Sequence, residues 1–260
     1  MPEVTMEHDD RGVVTVTLRN VAHKNAITGD MFHALRDVFA DIGMRPKFRV
    51  VIVTGEGDAF CAGADLASQT TVDGERLHTL QHMRNIGEAA HALAQVPQPV
   101  IAKVNGVAVG AGLTLALGCD LIYASDRARL GAVFAKRGLS IDFGGSWLLP
   151  RLVGMHKAKE LALLAEMFDA AEAERIGLVN RVVPHDELDA VVDDVAGRLA
   201  AGPPIALSLT KRLLNQAFDA TYAQALEAEA MAQAVNGSTK DTNEAIKAFL
   251  EKRQPVFRGR

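Results

Sequence analysis

Apolar residues in this chain fall first into short β-branched runs and later into helical spacing. Val13-Val14-Thr15-Val16-Thr17-Leu18 predicts a strand, closed by Arg19-Asn20. Thr28 is placed to cap a helix over 29–43, in which Met31, Leu35, Val38, Phe39 and Ile42 share one face. The nearly all-apolar run 48–54 predicts a strand covered on both sides. A turn follows at Gly55-Glu56-Gly57-Asp58, then a small, apolar, glycine-punctuated segment over 59–66. That segment either lets a ligand lie against the backbone or simply packs tightly. A longer helix over 75–95 is closed by Pro97 and Pro99.

The most informative run is 100–120. It reads as a strand up to Asn105-Gly106, a glycine-rich loop through Gly110-Ala111-Gly112, and a helix over 113–117. Such a junction aims unpaired backbone N–H groups and the positive end of a helix dipole at one point, where an oxyanion could sit. The glycines would let the backbone approach a ligand, although a bare βα turn would look the same. The spacing is not the dinucleotide fingerprint, because position 115 is Leu, and it is not a P-loop, because no Gly-Lys-Ser/Thr follows.

Strands are predicted again over 121–124, 129–132 and 178–183. Asp142 stands just ahead of Gly144-Gly145 and an apolar helix, where a carboxylate serves equally as a helix N-cap or as a catalytic group. Helices are predicted over 157–166, 170–177, 187–201, 205–218, 222–236 and 239–252. The chain thus divides near Gly202-Pro203-Pro204 into an α/β region, residues 1–200, and a helical region, residues 201–260, whose apolar faces call for a partner surface.

Composition narrows the function. The 260 residues are 48% hydrophobic, enough for a packed core. A net charge of −4 gives no electrostatic case for nucleic acid or an anionic membrane, while leaving room for a local basic patch. Cys61 and Cys119 match no metal or redox spacing, the acidic stretch 1–11 lacks the order of a signal peptide, and no apolar run reaches membrane-spanning length. A soluble cytoplasmic protein is expected. His78 and His82 stand at i, i+4, but no third ligand is evident, so no metal site is expected.

Phe60-Cys61-Ala62-Gly63-Ala64-Asp65-Leu66, Asn105-Gly106 through Gly110-Ala111-Gly112 to Cys119-Asp120, Gly144-Gly145-Ser146 through Pro150-Arg151-Leu152-Val153-Gly154, and the runs 170–183 and 248–257 follow one another in an order that resembles the crotonase superfamily of enoyl-CoA hydratases and isomerases. The resemblance implies an α/β fold, a crotonase-like spiral of repeated ββα units with a helical C-terminal trimerisation region, assembling as a homotrimer or a dimer of trimers. It implies an acyl-CoA thioester as substrate and no cofactor beyond the coenzyme A which that substrate carries. The oxyanion donors would be the N–H groups of Ala64 and Ala111. Lys24, Ala26, Ala62, Asp65 and Leu66 would lie in the segments that hold the CoA moiety, and Phe249 and Lys252 would reach it, often from a neighbouring subunit. Where the family usually has an Arg-Pro step, this chain has Val21-Ala22.

The resemblance also carries a departure. Hydration in this family uses two glutamates, and the corresponding positions here are Thr114 and Phe134. Neither can act as a carboxylate base. Asp142 remains, at a position where other branches place a catalytic aspartate, and 138–151 looks most like the isomerases. Isomerisation of an enoyl-CoA, with Asp142 moving the proton in a pocket lined partly by Phe134, is therefore the first expectation. Hydration by a non-standard acid/base set is the second, and a non-catalytic acyl-CoA binder, in which Asp142 only caps its helix, is the third.

Overall fold

The computed structural model describes residues 1–67, 71–72, 75–76 and 78–260. Strand β1 (Glu3–His8) pairs antiparallel with β2 (Val13–Arg19), and after α1 (Gly29–Gly43) comes the fully buried β3 (Val50–Gly55), parallel to β2. The short β4 (Ala59–Cys61) is followed by a two-stranded ribbon, β5 (Thr71–Val72) and β6 (Glu75–Arg76), and then by α2 (Thr79–Gln95). The helix expected over 75–95 therefore starts later than its periodicity suggested. Its first N–H groups are met by His78, whose Nδ1 accepts from Leu80 N–H at 3.2 Å.

The next turns repeat one plan. β7 (Val100–Val104), β8 (Val107–Val109) and α3 (Ala111–Leu117) form one unit. β9 (Leu121–Ser125), β10 (Arg129–Gly131) and α4 (Gly145–Val153) form the next. In each, one strand enters a large sheet, the following strand enters a small one, and a helix closes the turn. The large sheet runs β1-β2-β3-β7-β9-β12 and is parallel except for β1; the small sheet runs β11-β10-β8-β4. After α5 (Met155–Leu164), β11 (Phe168–Asp169), α6 (Ala170–Arg175) and β12 (Arg181–Val183) finish the sheets. Then come α7 (Leu188–Ala200), α8 (Pro204–Gln216), α9 (Tyr222–Gly237) and α10 (Lys240–Glu251).

The two-sided burial expected for the run 48–54 follows from the pleat. Val51 and Val53 point into the main core with Val14, Val16 and Phe60. Val50 and Ile52 point the other way, under Leu188, Val192 and Ala196 of α7. Further along, α8 is tied down by charge: Lys211 Nζ lies 2.7 Å from the Asp120 carboxylate and donates to the Gln98 carbonyl at 3.0 Å. The guanidinium of Arg49 holds the carbonyls of Ala200, Gly202 and Phe257, joining the head of the large sheet to the chain's last turns. Beyond these ties, Leu214, Phe218, Leu226, Met231, Ile246 and Phe249 stand exposed along α8–α10. Among the described residues no helix is long and apolar enough to cross a membrane.

Candidate active site

The site grows from the place where β4 runs out against α3. Past Cys61 the chain lies beside 24–27: Ala62 N–H donates to the Lys24 carbonyl at 2.9 Å, Ile27 N–H to Gly63 at 2.8 Å, and Asp65 N–H to Ile27 at 2.8 Å. This is a parallel bridge between Ile27 and Ala64. The bridge uses the amide of residue 65 and the carbonyl of residue 63, so Ala64 keeps its own N–H turned away from 27.

On the other side stands the start of α3. A Cβ on Gly63, which sits at φ +95°, would lie 3.0 Å from the Val109 carbonyl and 3.6 Å from the Ala111 nitrogen. A Cβ on Gly112 would come within 2.2 Å of the Cys61 carbonyl. Only glycines at these two positions let the segments approach so closely. Ala111 is the first residue of α3, so its N–H has no partner within the helix. Among the described residues, neither Ala64 N–H nor Ala111 N–H finds an acceptor. Two main-chain donors from distant stretches of the sequence therefore stand close together without partners.

Three asparagines frame this junction; sequence reasoning quoted Asn105 with the glycine-rich segment and spanned Asn25 in 24–26, but gave none of the three a role of its own. Lys24 and Asn25 both adopt left-handed backbone, at φ 50° and 56°. Asn25, fully buried, accepts Asn20 N–H at 2.9 Å and donates to the Glu56 and Ala59 carbonyls at 2.8 Å each. Asn20 donates its side-chain amide to the Ala26 carbonyl at 2.8 Å. Asn105 donates to the carbonyls of Gly55, Gly57 and Ala59. The one signal in the sequence was a polar residue set between apolar runs beside a glycine, as in Asn105-Gly106.

The structure brings Lys24, Ala26, Ala62, Ala64, Asp65 and Leu66 to this one junction. Lys24 and Leu66 are exposed, Ala26 is buried, and Ala62 is half-buried. The Asp65 carboxylate accepts Ala67 N–H at 3.0 Å and lies 3.7 Å from His23 Nδ1. Phe249 and Lys252 are not brought there within the chain. Phe249 is 82% exposed, Lys252 ends α10 at φ 52°, and among the described residues no hydrogen bond or ion pair joins either to 24–26 or 61–66.

On the far side of α3, Phe134 is buried in the main core and Thr114 is fully buried. Asp142 does not cap α4 with its side chain. Gly144 holds the capping position, and Gly145 N–H is taken at 2.9 Å by the Asp142 carbonyl rather than its carboxylate. The cause is the turn between them, with Phe143 at φ 49° and Gly144 at φ 78°. Phe143 is held in that costly conformation by burying its ring 6.0 Å from that of Phe32. The carboxylate oxygen Oδ1 of Asp142 is buried with no hydrogen-bond partner, and burial raises the group's pKa to about 6. A carboxylate so placed is equipped to take up and return a proton near neutrality.

A cavity of about 100 Å³ lined by Pro203, Ile205, Asp241 and Phe257 includes none of these residues. The buried thiols of Cys61 and Cys119 are free, and burial pushes the Cys61 thiol up to about 12, so it is no nucleophile at neutral pH. Among the described residues no three His, Cys, Asp or Glu side chains gather as a metal site would require.

Residues 8–260 match the enoyl-CoA hydratase/isomerase family. A 1,2-epoxyphenylacetyl-CoA isomerase of Escherichia coli (strain K12) is 36% identical, with all of both chains covered. A short-chain-enoyl-CoA hydratase of Clostridium acetobutylicum is 36% identical over 93% of this chain and 92% of its own. The crystal structure of an enoyl-CoA hydratase from Bacillus anthracis superposes with a TM-score of 0.93 at 32% identity, covering 99% of each chain. The fold, with its strands shared between two sheets and its closing helices, is that of these proteins, and the chain belongs to the enoyl-CoA hydratase/isomerase family of the crotonase superfamily.

Proposed function

We propose that the protein isomerises a carbon–carbon double bond in an enoyl-CoA thioester, with Asp142 as the proton carrier. The observation that carries this reading is the buried, unpartnered carboxylate oxygen of Asp142, in a chain that has Thr114 and Phe134 where hydration would use glutamates. The Asp142 carboxylate takes a proton from the carbon next to the thioester carbonyl of a 3-enoyl-CoA. The electron pair moves onto the thioester oxygen, held by the N–H groups of Ala64 and Ala111 as an oxyanion hole, each donor stabilising the enolate by roughly 3 kcal/mol. The protonated carboxyl then returns the proton to the far carbon of the displaced double bond, leaving a 2-enoyl-CoA. Protons and electrons balance without water or any further cofactor.

In this reading Phe134 lines the acyl side, and Lys24, Ala26, Ala62, Asp65 and Leu66 hold the coenzyme A portion. Phe249 and Lys252 reach it from a neighbouring copy in a homotrimer or a dimer of trimers, which gives the exposed apolar faces of α8–α10 a partner. The helical region 201–260 then serves assembly, the region 1–200 carries the site, and the enzyme works in the cytoplasm on fatty or aromatic acids.

A second reading draws on the full-length match to the epoxyphenylacetyl-CoA isomerase. A single proton-moving carboxylate working with two orphan amides suits rearrangement of a ring epoxide on an aryl-acetyl thioester as well. The experiment supplies a 3-enoyl-CoA, 1,2-epoxyphenylacetyl-CoA and crotonyl-CoA to the wild type and to Asp142→Asn. Formation of 2-enoyl-CoA by the wild type, reduced at least ~100-fold in the variant, is expected. Equal rates would remove Asp142 from the chemistry. Water addition to crotonyl-CoA by both proteins would favour hydration without that acid, and tight thioester binding with no turnover would make the protein a binder.

A further inference from the structure

We infer that the side-chain methyl of Thr114 is a spacer that sets the distance between the helix carrying the Ala111 amide and the turn carrying Asp142. The inference rests on the roles assigned above to Asp142 and Ala111. Thr114 lies one turn into α3, and its N–H donates to the Gly110 carbonyl at 3.1 Å, so it is fixed to the same turn that presents Ala111 N–H. Its hydroxyl is turned back into its own helix, 3.3 Å from the Ala111 carbonyl and 3.4 Å from that of Gly110. That bond fixes the rotamer of a β-branched side chain. The group left to meet the neighbouring helix is the methyl, Cγ2.

That methyl meets the first residue of α4. A Cβ on Gly145 would lie 2.4 Å from Thr114 Cγ2 and 2.8 Å from the side chain of Ile141. The threonine methyl, with the Ile141 side chain beside it, occupies the place a side chain on Gly145 would take. Gly145 N–H is bonded to the Asp142 carbonyl at 2.9 Å, and Phe143 between them is anchored in the core. A change of separation at the methyl therefore passes through Gly145 to Asp142 on one side and through α3 to Ala111 on the other. Thr114 spends its hydroxyl on its own helix and its methyl on the start of α4, so it is a positioning residue and not a catalytic one. Misplacement of a reacting group by about 1 Å can cost on the order of a hundredfold in rate.

The test moves the methyl from one helix to the other. Thr114→Val keeps the methyl and is expected to hold kcat within about threefold of wild type. Thr114→Ser keeps the hydroxyl and loses the methyl. Its kcat is expected to fall by about tenfold or more with little change in KM. Water admitted to the gap should also move the acid limb of its pH profile to lower pH, since burial is the cause of the raised Asp142 value. Gly145→Ala alone should be impaired by the clash, and the double variant Thr114→Ser with Gly145→Ala should recover part of kcat and of the wild-type pH limb, the Ile141 side chain still having to shift for the new Cβ.

Should Thr114→Ser fail to fold, Thr114→Cys, with a single γ atom, reads the same gap and is expected to fall between Val and Ser. Wild-type kcat and pH profile in the methyl-less variant, or a double variant no better than the worse single one, would overturn the spacer. Asp142→Asn run alongside separates the two ideas. Full activity there removes the assigned role of Asp142, whereas an inactive Asp142→Asn beside an unimpaired Thr114→Ser removes the spacer alone.

Discussion

Asn25 and Asn105 donate their side-chain amides to one and the same carbonyl oxygen, that of Ala59, at 2.8 and 3.3 Å. Each also holds backbone carbonyls in 55–57, so the turn between β3 and β4 hangs from two asparagines that belong to different turns of the spiral. Removing Asn25 takes the partners of Asn20 N–H and the Glu56 carbonyl, and removing Asn105 takes those of the Gly55 and Gly57 carbonyls, while Ala59 keeps its other asparagine. Asn25→Ala and Asn105→Ala should each lower stability by about 2–3 kcal/mol. Because either asparagine alone still serves the Ala59 carbonyl, the double variant, which leaves that buried oxygen bare, should lose measurably more than the sum. Urea unfolding of the four proteins measures this, and strict additivity would show that the two side chains act separately.

Asp142 gives a pH signature in both activity and stability. Its pKa is raised from an ordinary 3.8 to about 6, and burial is the cause. The proposed base is the ionised form, so isomerisation should rise with pH through about 6 and then level off. For stability the sign is opposite. A carboxyl whose folded value is raised binds its proton more tightly in the folded state, so its contribution is fully present below pH 3.8 and is lost as pH climbs through about 6. Asp142→Asn, which never ionises, should therefore unfold at a higher temperature than wild type at pH 7 and at nearly the same temperature at about pH 3.5. A variant less stable than wild type at pH 7 would contradict the unpaired burial of that carboxylate.

Gly112 is required by a close approach and not by its own backbone angles. Within a helix, alanine would ordinarily gain about 1 kcal/mol over glycine. Here its Cβ would meet the Cys61 carbonyl at 2.2 Å and the Cys61 Cβ at 2.7 Å. Gly112→Ala should thus destabilise by roughly 1–3 kcal/mol and cut turnover, since relief of the clash pushes Ala111 N–H away from Ala64. Thermal unfolding together with steady-state kinetics tests it; an alanine variant that is more stable and fully active would show that the segments are less tightly joined.

Lys211 and Asp120 form a second decisive pair, with side chains only 11% and 24% exposed. The same Asp120 oxygen accepts Val100 N–H at 2.7 Å, so the carboxylate holds the start of β7 as well as α8. Lys211→Met would strand it. The expected loss is about 2 kcal/mol, below the range for a fully buried pair because water reaches some of Asp120. Adding Asp120→Asn should return a good share of that loss in denaturant unfolding. No recovery would mean that the lysine acts through its bond to Gln98 alone.

Particular elements show why some of this was legible and some was not. The run 48–54 announced a strand buried on both faces because its composition is itself the record of its environment, and β3 is that strand. Helix α1 begins where Thr28 predicted, with its side chain accepting from Met31 N–H. The segments 60–66 and 105–112 were marked by their glycines, and the structure joins them through Gly63 and Gly112. By contrast, β1, β4 and β8 went unforeseen. β1 is an edge strand with a polar face, and the other two are three residues long, too short to show any period.

Local pattern thus marked the longer stretches that extend or coil and the places that must be small, because propensity and periodicity act over a few neighbouring residues. Whether Asp142 caps a helix or keeps a free carboxylate, and whether Asn25 and Asn105 meet at Ala59, were settled only when distant backbone groups came within about 3 Å of one another. Hydrogen bonding and burial depend on that three-dimensional distance, and spacing along the chain does not encode it.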